Sequence, residues 1–212
     1  MTIGSLCADT VIVLDFETTG LSPDQGDRAI EIGAVKLVDG EVIDTFQQLM
    51  YPGKRIDPFI ENYTGITNSM LKNARPCKEV MQDFADYIDG FNLVAHNASF
   101  DGRFLNAELR RIKRKQQAEF ACSMLIARRL YPDSPNHKLG TLVDYKNLPN
   151  DGVFHRALAD SQMTAHLWMT MLDDIKSNHS INTLPFKMMI QLSRTAKAAV
   201  QGFLQGEANQ QQ

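Results

Sequence analysis

The segment VIVLDFETTG, residues 11–20, constrains the fold most, because in it an apolar run ends in two acids. A continuous apolar run is typical of a strand that is buried on both faces, in the middle of a sheet. Side chains alternate across a strand, so Asp15 and Glu17 point to one face and Phe16 to the other. The two carboxylates therefore converge. A strand end that reaches solvent also explains such acids, so this segment alone leaves their role open.

Length and composition narrow the class of protein. The chain has 212 residues, of which 43% are hydrophobic, which is enough for one sizeable core. It has no apolar run long enough to span a membrane, so we expect no transmembrane helix. Its first residues lack the basic region with which a signal peptide begins, so we expect no signal peptide. Three scattered cysteines without a CxxC pair predict reduced thiols and a cytoplasmic location. The net charge of −3 argues against a protein coated in DNA along its length, but not against one that holds a short strand end.

The order of the predicted elements indicates an α/β fold. Two apolar segments on either side of Asp39-Gly40 predict an antiparallel hairpin. Helical periodicity and stop signals predict helices over 77–90, 99–115, 138–148 and 156–176, and a short buried strand over 91–97. Strands followed by helices that alternate with strands predict a mixed sheet.

Two further acids lie next to predicted buried structure. Asp101 falls in the first turn of the helix after the strand at 91–97, where a carboxylate also suits the helix dipole. Asp160 shares a helical stripe with apolar residues such as Leu167 and Ile175, so its carboxylate is expected to be buried. An unpaired buried carboxylate is costly unless a cation compensates it. Four acids from three elements therefore predict a shared cation, and oxygen ligands favour Mg²⁺ or Mn²⁺.

His155 is the candidate general base. It lies five residues before Asp160, which is about 140° around a helix, so the two do not share a helical face. We expect His155 on the loop that enters this helix, with residues 150–153 in front of it. A lone histidine on a loop is usually only solvated. Beside a metal site, however, an imidazole has a pKa suited to a general base near neutral pH.

Three motifs in the chain, DFETTG, HNASFD and HRALAD, resemble the exonuclease motifs of the DEDDh 3′–5′ exonucleases in order and spacing. The nearest likeness is to the proofreading epsilon subunit of bacterial DNA polymerase and its free-standing relatives. The resemblance implies a ribonuclease H-like fold, with a central mixed five-stranded sheet flanked by helices. It also implies two Mg²⁺ or Mn²⁺ ions with His155 as the general base, and as metal ligands Asp15, Glu17, Asp101 and Asp160.

The residues that follow the two acids are candidates for holding the terminal nucleotide. Gly20 allows a tight turn, in which exposed backbone N–H groups are available to a nucleotide. The resemblance implies that Leu21 lies against the base and that two more apolar residues contact it, although both of these also suit a plain core. The candidate substrate-binding residues are Thr18, Thr19, Gly20, Leu21, Ile66 and Phe100.

The C-terminal segment extends beyond the motifs. We expect residues 1–180 to form the exonuclease domain and residues 181–212 to form a helical extension with a frayed, Gln-rich end from residue 205. The segment either packs on the core or binds a partner. Because epsilon subunits bind the polymerase through a C-terminal extension, the resemblance implies a DNA polymerase subunit as partner. The residues that fall near one helical stripe are Phe186, Met189, Ile190, Ser193, Ala196, Val200 and Phe203.

The function that the resemblance implies is metal-dependent 3′–5′ hydrolysis of single-stranded DNA to nucleoside 5′-monophosphates, in proofreading or repair. One alternative is a 3′–5′ exoribonuclease similar to ribonuclease T or oligoribonuclease, because DNA and RNA differ at this site only by a 2′-OH. The other is a polymerase-associated interaction module without catalysis. The presence of all five predicted catalytic residues argues against that module.

Overall fold

The computed structural model describes residues 7–149, 152 and 155–211. The strands are β1 (Val11–Thr18), β2 (Ala29–Val38), β3 (Glu41–Tyr51), β4 (Arg75–Pro76), β5 (Asn92–Ala95) and β6 (Phe120–Cys122). They form one mixed sheet in the order β4-β3-β2-β1-β5-β6. The predicted α/β class and mixed sheet are confirmed. The sheet has six strands rather than five, because the two residues of β4 pair in parallel with the end of β3.

Helices cover both faces of the sheet. Within the described part of the chain they are α1 (Pro58–Thr64), α2 (Asn68–Lys72), α3 (Cys77–Tyr87), α4 (Ala98–Arg111), α5 (Ser123–Leu130), α6 (Leu139–Tyr145), α7 (Ala157–His179), α8 (Phe186–Arg194) and α9 (Val200–Asn209). The four predicted helices correspond to α3, α4, α6 and α7, with ends that differ by a few residues. Among the described residues, no helix combines the length and the apolar character that a membrane crossing needs.

The central position of β1 follows from its apolar sequence. It pairs antiparallel with β2 and parallel with β5, and its first four residues are fully buried. Val13 packs in the cluster that α7 covers, whereas Leu14 and Phe16 pack in the cluster that α3 and α4 cover. The alternation predicted from the sequence is confirmed, and it places Asp15 and Glu17 on the α7 side of the sheet.

The predicted hairpin is β2–β3. Its turn residues Asp39 and Gly40 have φ values of 51° and 82°, both in the left-handed region. Two consecutive left-handed residues match the twist of the strands that they join, and Asp-Gly adopts this turn readily.

A close approach at Gly33 seats the start of α7 on the sheet. A Cβ atom at Gly33 would lie 2.2 Å from the backbone of Ala157 and Leu158, so a side chain does not fit there. The Ser161 hydroxyl donates to the Gly33 carbonyl oxygen at 3.0 Å and fixes the contact. Gly33 pairs with Asp15 across β1 and β2. The first turn of α7 therefore lies beside the acids of β1.

The C-terminal segment differs from the prediction of one helical stripe. Thr195 has extended backbone angles and ends α8, so the segment forms two helices, α8 and α9, rather than one. Phe186 and Leu204 are buried in the same cluster as α7, which makes core packing one role of the segment. The predicted fraying from residue 205 is wrong for residues 205–211, which are the part of the tail that the structure describes. Helix α9 extends to Asn209, and the Gln211 side chain accepts hydrogen bonds from the backbone at 182 and 183.

Candidate active site

The site lies where β1 runs past the end of β5. The two strands pair only from Val11 to Val13 of β1, so the later backbone groups on this edge of β1 have no strand partner in β5. Asp101, in the first turn of α4, fills this gap and accepts a hydrogen bond from the Phe16 N–H at 3.1 Å. The Asp101 side chain is 1% exposed. This bond brings an acid from one helical layer to the strand that carries Asp15 and Glu17.

The opposite layer contributes Asp160 and His155. The ligand atoms of Glu17, His155 and Asp160 lie within 4.8 Å of one another. His155 precedes α7 with a left-handed φ of 61°, and its N–H donates to Asp160 Oδ2 at 3.0 Å. The predicted position of His155 on the loop before the helix is confirmed. Of the predicted loop 150–153, all but Gly152 lies outside the described residues.

Burial raises the pKa values of all four acids, and repulsion from neighbouring carboxylates adds to this at Asp15, Glu17 and Asp160. Burial raises the pKa of Glu17 to about 8, with further increases from Asp160, Glu31 and Asp101. Burial is also the main cause that raises the pKa of Asp101 to about 7 and that of Asp160 to about 6. The pKa of Asp15 is well above its ordinary value, first through burial and then through Asp101 and the other acids. A divalent cation relieves this repulsion, so the acids fit the hard, oxygen-liganded ions predicted from the sequence.

The imidazole of His155 is in an environment that favours its neutral form. Partial burial lowers the pKa of His155, because desolvation disfavours the charged ring. The Tyr63 ring packs against it, with ring centroids 4.0 Å apart and planes tilted by 36°. A neutral histidine beside the acids is able to accept a proton.

A cleft of about 660 Å³ is lined by His155 and by three of the acids, Asp15, Glu17 and Asp160, whereas the buried Asp101 is not among its lining residues. Four of the predicted substrate-binding residues line it, namely Thr18, Gly20, Leu21 and Phe100. Leu21 is 73% exposed and lines the cleft together with the exposed rings of Phe59 and Tyr63. The contact of Leu21 with a base stays a prediction.

Two predicted substrate-binding residues do not face the cleft. The Thr19 hydroxyl donates to Asp27 Oδ1 at 3.0 Å and accepts from the Arg28 N–H at 3.1 Å, so it closes the β1–β2 loop instead. Ile66 is fully buried in a small cluster with Ile30 and Leu71. The alternative of a plain core residue is therefore correct for Ile66. Ile66 lies in the connection between α1 and α2, and its burial there depends on the strands and helices that pack against it, which local sequence does not reveal.

Gly20 has a further local role beside the predicted one, which stays a prediction. A Cβ atom there would lie 2.5 Å from the Asp27 carboxylate, which also accepts the Ser22 N–H at 3.0 Å. Gly20 therefore allows the Asp27 side chain to approach the backbone of the loop, and Asp27 holds this loop in place beside the cleft.

The sequence prediction missed the aromatic wall of the cleft. Phe59 and Tyr63 line it from α1, are 68% and 51% exposed, and stack with ring planes 12° apart. Asp57 caps α1 by accepting the Phe59 N–H, and Pro58 occupies its first position. This start signal and the i, i+4 aromatic spacing would have identified a short helix with an aromatic face. Asn97, with a left-handed φ of 74°, also lines the cleft.

A family model described as Exonuclease matches residues 12–168 of the chain. The DNA polymerase III PolC-type of Bacillus subtilis (strain 168) is 39% identical over 168 residues, which cover 78% of this chain and 12% of that relative. The 3′-5′ exonuclease DinG of the same organism is 32% identical over 187 residues, which cover 88% of this chain and 19% of DinG. The chain thus spans only a small part of the length of these relatives.

Solved structures share the fold. Exonuclease X in complex with 5′ overhanging duplex DNA is 27% identical, with a TM-score of 0.67, over 86% of this chain and 99% of that chain. The nuclease domain of 3′hExo, a DEDDh family member bound to rAMP, has a TM-score of 0.66 over 78% of this chain and 92% of that chain. The latter is 24% identical, so it supports the fold alone.

Proposed function

The chain belongs to the exonuclease family, and on that premise we propose that it is a metal-dependent 3′–5′ exonuclease that releases nucleoside 5′-monophosphates from single-stranded DNA. The observation that carries the proposal is the convergence of Glu17, Asp160 and His155 at the floor of an open cleft. Buried acids with raised pKa values beside a neutral histidine are typical of a hydrolytic metal site.

The residues divide into two chemical roles. The four acids, Asp15, Glu17, Asp101 and Asp160, would hold two Mg²⁺ or Mn²⁺ ions. Such a pair activates a water and stabilises the leaving 3′ oxygen in an in-line displacement at phosphorus. His155 takes the proton from the attacking water, because its lowered pKa keeps the imidazole neutral near pH 7.

The cleft suits the end of a strand rather than its middle. Leu21, Phe59, Tyr63 and Phe100 give it apolar and aromatic walls. Stacking on such walls is worth about 1–3 kcal/mol per base and tolerates any sequence. Asp15, Glu17 and Asp160 line the same cleft as these walls, so a terminal nucleotide held on the walls would bring its 5′ phosphate to the acids.

We favour DNA as the substrate because the similar proteins include DNA polymerases and a nuclease solved in complex with DNA. The polymerases are of the PolC type, and the structure of Exonuclease X contains a DNA duplex with a 5′ overhang. The rival reading is an exoribonuclease of the same family. Digestion of matched DNA and RNA oligomers under the same conditions decides between the two sugars.

The test is hydrolysis of a 5′-labelled oligonucleotide by the isolated chain. We expect shortening from the 3′ end in Mg²⁺ or Mn²⁺, no reaction in excess EDTA, and protection by a 3′-phosphate. Full activity in EDTA, or early loss of the 5′ label, would contradict the proposal.

Two variants separate the two roles. His155→Ala is expected to lose about 10²- to 10⁴-fold in single-turnover rate while it keeps its metal affinity. Asp160→Asn is expected to lose both. His166→Ala is the matched control, because His166 is an exposed histidine on α7, the helix that follows His155, and among the described residues it makes only a long 3.4 Å contact with the Pro149 carbonyl oxygen. Near-normal turnover in His155→Ala would move the general base elsewhere.

A partner and a location complete the proposal. A DNA polymerase subunit that binds residues 181–212 is consistent with the PolC-type relatives, in which the matched segment is part of a polymerase chain. The cytoplasm is the compartment in which such a partner acts. Co-elution of the chain with a replicative polymerase, and its loss when the exposed surface of α9 is charged, would support the partner.

A further inference from the structure

Glu31 is a buried acid that none of the predicted roles uses. It lies on β2 and its side chain is 0% exposed. Its carboxylate accepts four hydrogen bonds. Oε1 accepts from Gln47 Nε2 at 3.1 Å and from Arg156 Nη2 at 2.8 Å. Oε2 accepts from Arg156 Nε at 3.1 Å and from the Ala157 N–H at 3.1 Å. Both oxygens are therefore saturated by donors.

These bonds tie two parts of the site together. Glu31 is the register partner of Glu17 across β1 and β2, and directly paired residues point to the same face of a sheet. Arg156 follows His155 in the chain, and Ala157 is the first residue of α7. A single carboxylate thus connects the strand that carries Glu17 to the backbone between His155 and Asp160.

We propose that Glu31 is a positioning residue for the catalytic site, which sets the entry of α7 and with it the placement of His155 and Asp160 over β1. The proposal rests on the exonuclease function proposed above. Glu31 acts through Arg156 and the Ala157 N–H rather than on the substrate. Four N–H groups donate to this side chain, two to each oxygen, so it must accept at both ends as a carboxylate does. In a glutamine the NH₂ group would face two donors and could accept from neither.

A second buried pair in the same protein provides a matched control. Glu108 on α4 is 1% exposed, binds the Arg28 side chain at 2.8 and 3.0 Å, and accepts the Ala29 N–H at 3.3 Å. It therefore has the same chemistry as Glu31: a buried carboxylate, a two-pronged arginine and a backbone N–H. It differs in a further ion pair, with Arg111 Nη1 3.1 Å from Oε1, and in having no hydrogen bond to α7 among the described residues. Loss of stability alone should affect both pairs alike.

The experiment compares Glu31→Gln with Glu108→Gln in single-turnover and steady-state hydrolysis. We expect Glu31→Gln to lower kcat by about 10- to 100-fold, which is the usual effect of removing the group that orients a catalytic side chain. Its KM should change little, because the walls of the cleft are intact. Glu108→Gln should keep its kcat. Retention of kcat by Glu31→Gln, or an equal loss in both variants, would overturn the proposal.

A readout without substrate keeps this test separate from the proposed function. Amide hydrogen exchange at residues 155–160 should be faster in Glu31→Gln than in the original chain and unchanged in Glu108→Gln. If the original chain hydrolyses no oligonucleotide, the proposed function fails, while the exchange data still test the positioning. Unchanged exchange at these residues in Glu31→Gln would refute it.

If Glu31→Gln does not fold, the variant Arg156→Lys tests the same positioning role. Lysine keeps the charge but loses the planar fork that binds both oxygens. We expect a folded protein with lower kcat and faster exchange at the start of α7. Unchanged kcat and unchanged exchange would overturn the proposal.

Discussion

Replacing Glu17 by glutamine should stabilise the metal-free protein at neutral pH. Burial and neighbouring acids raise the pKa of Glu17 from 4.5 to about 8. A carboxyl group whose pKa is higher in the folded state holds its proton more tightly there. The Glu17 carboxyl group therefore makes its full contribution to the free energy of unfolding below pH 4.5, and this contribution is lost as the pH rises through about 8. Glutamine has a similar shape but never ionises, so this loss does not occur in the variant.

The size of the effect follows from the two pKa values. Ionisation of Glu17 lowers the free energy of unfolding by about 1 kcal/mol at pH 5, about 3 at pH 7 and about 4 at pH 8, relative to a neutral side chain. These are upper values, because the other three acids share the same protons. In a domain of this size, about 3 kcal/mol corresponds to a Tm difference of about 6–12 °C.

The assay is thermal unfolding followed by circular dichroism in EDTA from pH 5 to pH 8. Glu17→Gln should melt above the original chain, with a gap that widens as the pH rises. Saturating Mn²⁺ should reverse the order, because only the original chain keeps all four ligands and gains the full stabilisation from binding. Glu41→Gln, an exposed position on β3, is the control and should change little. A variant that is no more stable than the original chain at pH 8 in EDTA would refute the electrostatic reasoning.

Four further predictions follow from particular contacts. Gly33→Ala should cost several kcal/mol or abolish folding, since its Cβ would lie 2.2 Å from the backbone at the start of α7; a soluble variant with an unchanged Tm would contradict the close approach. The pH–rate profile should rise with a midpoint below pH 6.5, because burial lowers the pKa of His155 from its ordinary value of 6.5 and the base must be neutral; a rising limb centred well above that pH would assign it to another group. Ile66→Ala should lower stability by about 2–5 kcal/mol with little change in KM, whereas Leu21→Ala should raise KM with little change in Tm; the opposite pattern would restore Ile66 to the nucleotide pocket. Trp168→Phe should cost about 1–3 kcal/mol, because the indole N–H donates to the buried Ala8 carbonyl oxygen at 2.7 Å, and chemical denaturation with an unchanged midpoint would show the bond to be dispensable.

Local patterns in the chain were enough for the elements that carry the site. The apolar run of β1, the Asp-Gly turn and the helical stripe of α7 are local patterns, and each depends only on residues close together in the chain. Such patterns also predicted that Asp15 and Glu17 share a face and that Asp160 is buried. The position of His155 before α7 followed from the angle between residues on a helix. Three motifs in order then identified the family.

Contacts between distant segments decided the rest. Ile66 and Leu21 are both apolar residues near a predicted binding segment, yet one is fully buried and the other is 73% exposed. Thr19 turned out to bind Asp27 because the β1–β2 loop closes on itself. No local period distinguishes these outcomes, since each depends on which other segment packs against the residue.

The sequence by itself determined which side chains are the candidates for the chemistry, because the alternation of a strand and the turn of a helix are local properties of the backbone. Only the tertiary structure decided how these side chains are held. Glu31 and Arg156 are 125 residues apart in the chain and meet at 2.8 Å, and Asp101 reaches the Phe16 N–H from 85 residues away. Gly33 meets the start of α7 because the sheet and the helix pack without space for a side chain. Burial, charge compensation and close packing arise from the whole folded chain, so they become visible only when its segments are brought together.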